Sequence, residues 1–203
     1  MILNGKSARL TGQMPEFERS EAASPQEDFS ALLRRIGSPD YFDFSDISVI
    51  NSPATRFLEG YVTELLIPVE LPAIAEACGH ALRQEHRELV LQDKNLTLKL
   101  GANPMASASR RIGRFQLARL RPLRDERVVR RYAESVESGG AEGWHTIVYG
   151  ISMALFSLPL RQGLLHYARE TLETLGKNFG EASVVDSLME RVPPAVEAAL
   201  VRG

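Results

Sequence analysis

One cysteine in 203 residues leaves Cys78 with nothing to pair with inside the chain. An internal disulfide is therefore excluded, and the composition fits a reducing compartment. Long apolar runs are also missing. "IVYGISMALFSLPL" is too short to span a bilayer and runs into Arg161. The first two dozen residues lack the apolar core of a secretory signal, so the chain is expected in the cytoplasm and away from membranes. Neither sign of charge dominates: 24 Lys and Arg face 26 Asp and Glu, for a net charge of −2. No global field then draws the protein to nucleic acid or anionic lipid, and any basic function must be local. Phosphate-cradling glycine loops, HExxH pairs, nucleophile elbows and CxxC pairs are absent. So are alternating strand patterns and repeats.

What is present is helical. An apolar share of 44% and a charged share of 25% describe a globular protein long enough for one domain with a sizeable core. Residues 1–23 carry no sustained apolar period and read as a flexible tail. "SPQEDFSALLRRIG" has Ser24 as cap, Pro25 in the first turn, Glu27 completing a capping box and Gly37 to close it. The aromatic and acidic "SPDYFDFSDISVIN" reads as a connector. A helix from Ser52 is expected to stop before Pro68, and another to run from Pro72 through "LTLKL". Further helices start near Asn103 and near Asp125. "WHTIVYGISMALFSL" is apolar nearly all round, which predicts a central helix burying Ile147, Tyr149, Ile151, Ala154 and Leu155. The next helix should end at Gly176, and one or two more should break around Pro193 and Pro194. The expectation is an all-α, single-domain bundle of about seven to nine helices over residues 24–203.

Between Arg110 and Tyr132 nine arginines stand against two acids. On a helix, Met105, Ala108, Ile112 and Phe115 form one apolar stripe, with Arg110, Arg114 and Arg121 opposite. A solvated face and a protein-facing surface both fit this pattern, since Arg grips carboxylates with two hydrogen bonds and is enriched at interfaces. A nucleic-acid strip fits less well: the neighbouring segments are acidic, and Phe115 is the sole aromatic interleaved among the arginines before Tyr132. Arg110, Arg114 and Arg121 are therefore the candidate partner-binding residues. Arg119 projects toward the apolar side and must pair with an acid, escape past the helix end or meet a partner.

The histidines give no ligand set. Cys78, His80 and His86 are close in sequence but do not share a helical face, whereas a metal site needs convergence. His145 suits a helix start beside Trp144, and His166 suits packing. No catalytic, cofactor or metal residue is assigned, so neither a tightly held metal nor an organic cofactor is expected. An all-α enzyme or cofactor bundle with His80, His86, His145 or His166 facing an internal pocket is the alternative.

Two stretches resemble the UreF-type urease accessory proteins. "NPMASASRRIGRFQLARL" is similar to that family's mid-chain helix, with Gly113 as its glycine. "HTIVYGISMALFSLPLRQGLLHYARETLETL" is similar to the family's central helix pair, with Tyr149, Gly150, Ala154, Leu158, Leu160 and Tyr167 at the matching positions. The chain departs from the family at "SPDYFDFSDISVI", which lacks two glycines of the family's pattern, and after Leu175, where "GKNFGEASVVDSL" replaces a Pro-Leu-x-Gln segment. The resemblance implies an all-α homodimer without chemistry of its own. It also implies partners: other urease accessory proteins, among them the nickel-delivering GTPase, and apo-urease. A chaperone for a different metalloenzyme would have the same helical composition.

Overall fold

The computed structural model describes residues 53–103, 105–123 and 126–201. The expected tail over 1–23, the capped helix over 24–37, the connector over 38–51 and the Ser52 cap lie outside these residues. Among the described residues there are eight helices and no strand: α1 (Ala54–Leu82), α2 (His86–Leu100), α3 (Met105–Arg119), α4 (Arg127–Glu137), α5 (His145–Leu155), α6 (Leu160–Phe179), α7 (Val185–Met189) and α8 (Val192–Leu200). The all-α expectation and its helix number hold.

The first correction falls on Pro68, which does not stop a helix. Residues Tyr61–Glu70 adopt π-helical, i→i+5 hydrogen bonding between two α-helical halves, Ala54–Gly60 and Leu71–Leu82, and α1 runs through unbroken. Pro68 lies on the exposed face together with Thr63 and Glu64. The carbonyl that its missing N–H leaves unbonded therefore faces water, and the wider turns relieve the clash of the ring with the preceding turn. By length and composition α1 could cross a bilayer, but 61% of that apolar window is buried inside the fold, as in a core helix.

The second correction divides the segment expected to run on from Pro72. It breaks after Leu82, where Gln84 takes φ 60°. The Glu85 N–H donates to the His80 carbonyl at 2.9 Å and the Gln84 N–H to Ala81 at 3.0 Å, the paired bonds of a Schellman end. The same pair of bonds closes α4 at Gly139, α5 at Ser157 and α6 at Gly180, all with positive φ. Helix α6 thus runs three residues beyond Gly176, to Phe179, and closes at Gly180 in the left-handed region. Gly176 itself is buried, and a Cβ there would lie 2.7 Å from Val185 Cγ2.

Helix α5 is the centre of the bundle, packed between the second half of α1 and α3. Ile147, Tyr149 and Ile151 are fully buried as expected, while Ala154 and Leu155 are only half-buried at the end of α5. Gly150 sets the α1–α5 distance: a Cβ would meet Ala77 Cβ and the Ile74 carbonyl oxygen, each at 2.7 Å. Helices α7 and α8 fold back on α6, and α8 also reaches α1. Pro193 sits in the first turn of α8, where its missing N–H breaks no ladder.

Candidate functional site

Three groups of polar side chains are built into this bundle. The first is centred on Asp93 of α2, which has no solvent exposure. Its carboxylate accepts the Tyr132 hydroxyl at 2.6 Å and the backbone N–H groups of Glu142, Gly143 and Trp144 at 2.6, 3.0 and 3.4 Å. Four donors converge on one buried anion and compensate for the water it has lost. The loop before α5 is thereby clasped to α2 and α4. Trp144 Nε1 donates to Thr97 Oγ1 at 2.9 Å on the same side. Gly113 completes the arrangement, because a Cβ there would stand 2.1 Å from the Gly143 carbonyl oxygen and 2.6 Å from the His145 nitrogen. Only glycine lets α3 approach this loop so closely. Burial and the Asp93 charge together hold the Tyr132 hydroxyl pKa well above its ordinary value.

The second group is the buried carboxyl of Glu70, which accepts the Tyr61 hydroxyl at 2.5 Å and the Tyr167 hydroxyl at 3.2 Å. Tyr61 and Glu70 are nine residues apart, about two and a half turns of an α-helix, which would set them on opposite faces. The wider π turns bring them onto one face. Desolvation raises Glu70 to about 7 against the two tyrosine hydrogen bonds that lower it. Beside it the rings of Tyr167, Tyr149 and His145 pack with centroids 5.1 to 6.0 Å apart. Burial holds His145 neutral, its pKa lowered to about 3, with Gln116 Nε2 at 3.1 Å from Nε2 of the ring. The cavity next to Glu70, which Ser109 and Thr146 also line, measures about 10 Å³, space for one water molecule and no substrate. The Thr146 hydroxyl is buried without a protein partner, a suitable lining for such a water.

The third group is the arginine surface. Arg114 donates from Nε to the Glu142 carbonyl at 2.8 Å and from its terminal nitrogen to Glu142 Oε2 at 2.9 Å. Arg110 reaches Glu142 Oε2 at 4.0 Å and lies over the Trp144 ring at 5.4 Å. Two of the three expected partner-binding arginines thus also brace the Asp93 loop from outside. Helix α3 ends at Arg119, so Arg121 does not continue it but begins the 3-10 turn Arg121–Leu123. Arg114 and Arg121 both line an open groove of about 460 Å³ between α3 and α4, together with Leu117, Ala118, Val136 and Glu137. Phe115, placed on the apolar stripe from sequence, is 46% exposed. Met105, Ala108 and Ile112 are buried as expected, and Gln116 rather than Phe115 continues the stripe. Arg119 lies over the Phe115 ring at 6.0 Å, both side chains exposed near the helix end.

The histidines are scattered. His80 Nδ1 is 2.8 Å from Glu85 Oε2, which also takes Arg83 Nε at 2.9 Å, so these side chains staple the α1–α2 turn. His86 lies beside Ser135 of α4, and His166 beside Glu170 of α6. Cys78 is buried and its thiol pKa is raised by that burial. Among the described residues no three His, Cys, Asp or Glu side chains converge as a metal would require. Sequence reading missed Glu70, Tyr61, Asp93, Tyr132 and Glu142. A signal was available for Asp93: it lies between Leu89 and Leu96 on the stripe that α2 buries, a position where a lone acid needs donors.

The described residues thus form a helical bundle whose buried polar groups tie its own helices together, with a groove lined by Arg114 and Arg121 on its outside. The UreF family model matches residues 52–179, more than half of the chain and the whole of helices α1 to α6. The chain belongs to the UreF family of urease accessory proteins. Searches of curated proteins and of solved structures each find no match. Gly113, Tyr149, Gly150 and Tyr167, which carried the resemblance in sequence, all sit at close approaches or in the buried ring cluster.

Proposed function

We propose that this protein acts in the cytoplasm as a non-catalytic scaffold for nickel-dependent urease maturation. In this reading it recruits or regulates the metal-delivering GTPase, alongside the other accessory proteins and apo-urease, and works as a homodimer. The observation that carries the reading is the family match across helices α1 to α6. The geometry supports it further: the strongest polar groups are committed to internal clasps, and the cavity beside Glu70 admits only a water-sized molecule. The contact surface in this reading is the groove lined by Arg114 and Arg121, with Arg110 flanking it.

The test is reconstitution. Urease subunits and their accessory proteins are co-expressed with this chain in place of the resident UreF-type protein, and the nickel content of purified urease is measured. Nickel loading above the level seen with that protein omitted is expected. Arg121→Glu should reduce both loading and recovery of the GTPase on the tagged chain, because Arg121 is exposed and its reversal opens no core cavity. Loading no better than the omission control, with a folded chain present, would refute the urease reading. Full retention of the partners by Arg121→Glu would remove the groove from it.

A further inference from the structure

On the side of α4 that meets α2, Arg127 and Arg131 stand near His86, the first residue of α2, with Arg87 beside it. The two helices pack together here, and Ser135 Oγ lies 3.5 Å from His86 Nε2. All three guanidinium groups are exposed. Their neighbours are neutralised within the chain, Arg83 by Glu85 and Arg130 by Glu134. Arg87, Arg127 and Arg131 have no acidic partner within 4.0 Å among the described residues. Each is instead felt at the His86 ring as a repelling charge. Three like charges act on one imidazole, opposed among the described residues by Glu134, and leave an unfavourable local field that a docked anion would relieve.

We propose that Arg87, Arg127 and Arg131, gathered around His86 where α2 meets α4, form a docking site for an acidic segment of a partner protein. Carboxylates match the forked donors of guanidinium groups. A long polyphosphate backbone fits worse than a short acidic segment, because a chain of net charge −2 supplies no basic footprint wider than this patch. His86 makes the contact pH-dependent. In the free protein its pKa is lowered by desolvation, then by Arg131, Arg87 and Arg127, with Glu134 acting the other way. Docked carboxylates cancel that repulsion, so His86 takes up a proton on binding and affinity rises as pH falls through the histidine range. The site is separate from the Arg114–Arg121 groove and does not depend on which enzyme is the client.

The test titrates the purified full-length chain into a short fluorescent poly-glutamate peptide and follows anisotropy. Binding should strengthen several-fold from about pH 7.5 to about pH 6 and weaken as salt rises. The variant R87E/R127E/R131E should lose about tenfold or more in affinity with an unchanged melting temperature. A control with the same charge change elsewhere, R56E/K99E/R191E, should stay near the parent. His86→Gln should keep the affinity at the higher pH and lose the gain at the lower. Several outcomes would overturn the proposal: no binding by the parent, equal loss in the control, undiminished binding by the triple variant, or a pH gain that survives in His86→Gln. Tighter binding of a DNA duplex than of the peptide, lost in the triple variant, would overturn it in favour of nucleic acid. Intact peptide binding with failed urease reconstitution would sink the urease reading alone.

Discussion

Asp93 and Glu70 are both buried carboxyl groups, yet their surroundings give them opposite characters. Asp93 receives three backbone N–H groups and a tyrosine hydroxyl, donors that suit an anion. Asp93→Asn keeps the shape but turns one acceptor into a donor facing other donors. A loss of about 2–3 kcal/mol is expected, roughly 4–12 °C in melting temperature, readable by circular dichroism. Glu70 receives two hydroxyls and is otherwise desolvated, so its folded pKa of about 7 lies above the unsheltered value of 4.5. The folded chain then holds a proton that the unfolded chain has released, and this stability is present below pH 4.5 and lost as pH rises through about 7. His145 works in the opposite sense. Its folded value of about 3 lies below 6.5, so its contribution is present above pH 6.5 and lost as pH falls toward 3. The two slopes oppose each other between 4.5 and 6.5, so stability should be nearly flat there and fall on either side. Glu70→Gln should remove the alkaline fall, with a relative gain at pH 8 over pH 5 on the order of 3 kcal/mol. Parallel curves for parent and variant from pH 5 to pH 8 would contradict this assignment.

At the level of the helix, the decisive contacts are those where a side chain would be too large. Gly113 and Gly150 lie in helix interiors, where glycine is intrinsically unfavourable by roughly 0.5–1 kcal/mol relative to alanine. Alanine would nonetheless be worse at Gly113, because its methyl would collide with backbone atoms of the 143–145 loop, and backbone cannot rotate aside. Gly113→Ala is expected to destabilise by about 3 kcal/mol or more, at the upper end of overpacking costs. It should also open the clasp, making the Gly143 and Trp144 amides exchange faster with deuterium. Gly139→Ala is the informative contrast. No atom lies within 4 Å of a Cβ there, and only the left-handed backbone (φ 76°) opposes the change, at about 1 kcal/mol. Equal losses in the two variants would mean that the close approach at Gly113 contributes nothing.

Across the whole molecule, the lone tryptophan reports on how the parts cooperate. Trp144 is 1% exposed and lies where α2, α3 and the loop before α5 meet. If the bundle unfolds as one unit, the red shift of its fluorescence and the loss of helical ellipticity should share one midpoint in urea. A fluorescence transition at lower urea would show the clasp opening ahead of the core. The sequence by itself determined the helical class, the central place of "HTIVYGISMAL" and the family likeness, because apolar period, caps and small-residue positions are local signals. It also placed Arg110, Arg114 and Arg121 on the polar side of their segment, but could not show that Glu142, 28 residues beyond Arg114, holds two of them. Helix ends were legible where proline or glycine acts by its own geometry, as at Pro193. They were misread where the outcome depended on neighbours: Pro68 passes because its face is exposed, and Gly176 is a packing glycine while Gly180 supplies the left-handed turn. The face on which Glu70 lies depends on the π turns of α1. A 3.6-residue period assumes those turns away, so the Tyr61–Glu70–Tyr167 group could not be found by counting. Asp93 likewise gains its role from amides 49 to 51 residues away. Hydrogen bonds of such separation exist only once the chain has folded, and tertiary structure alone decided them.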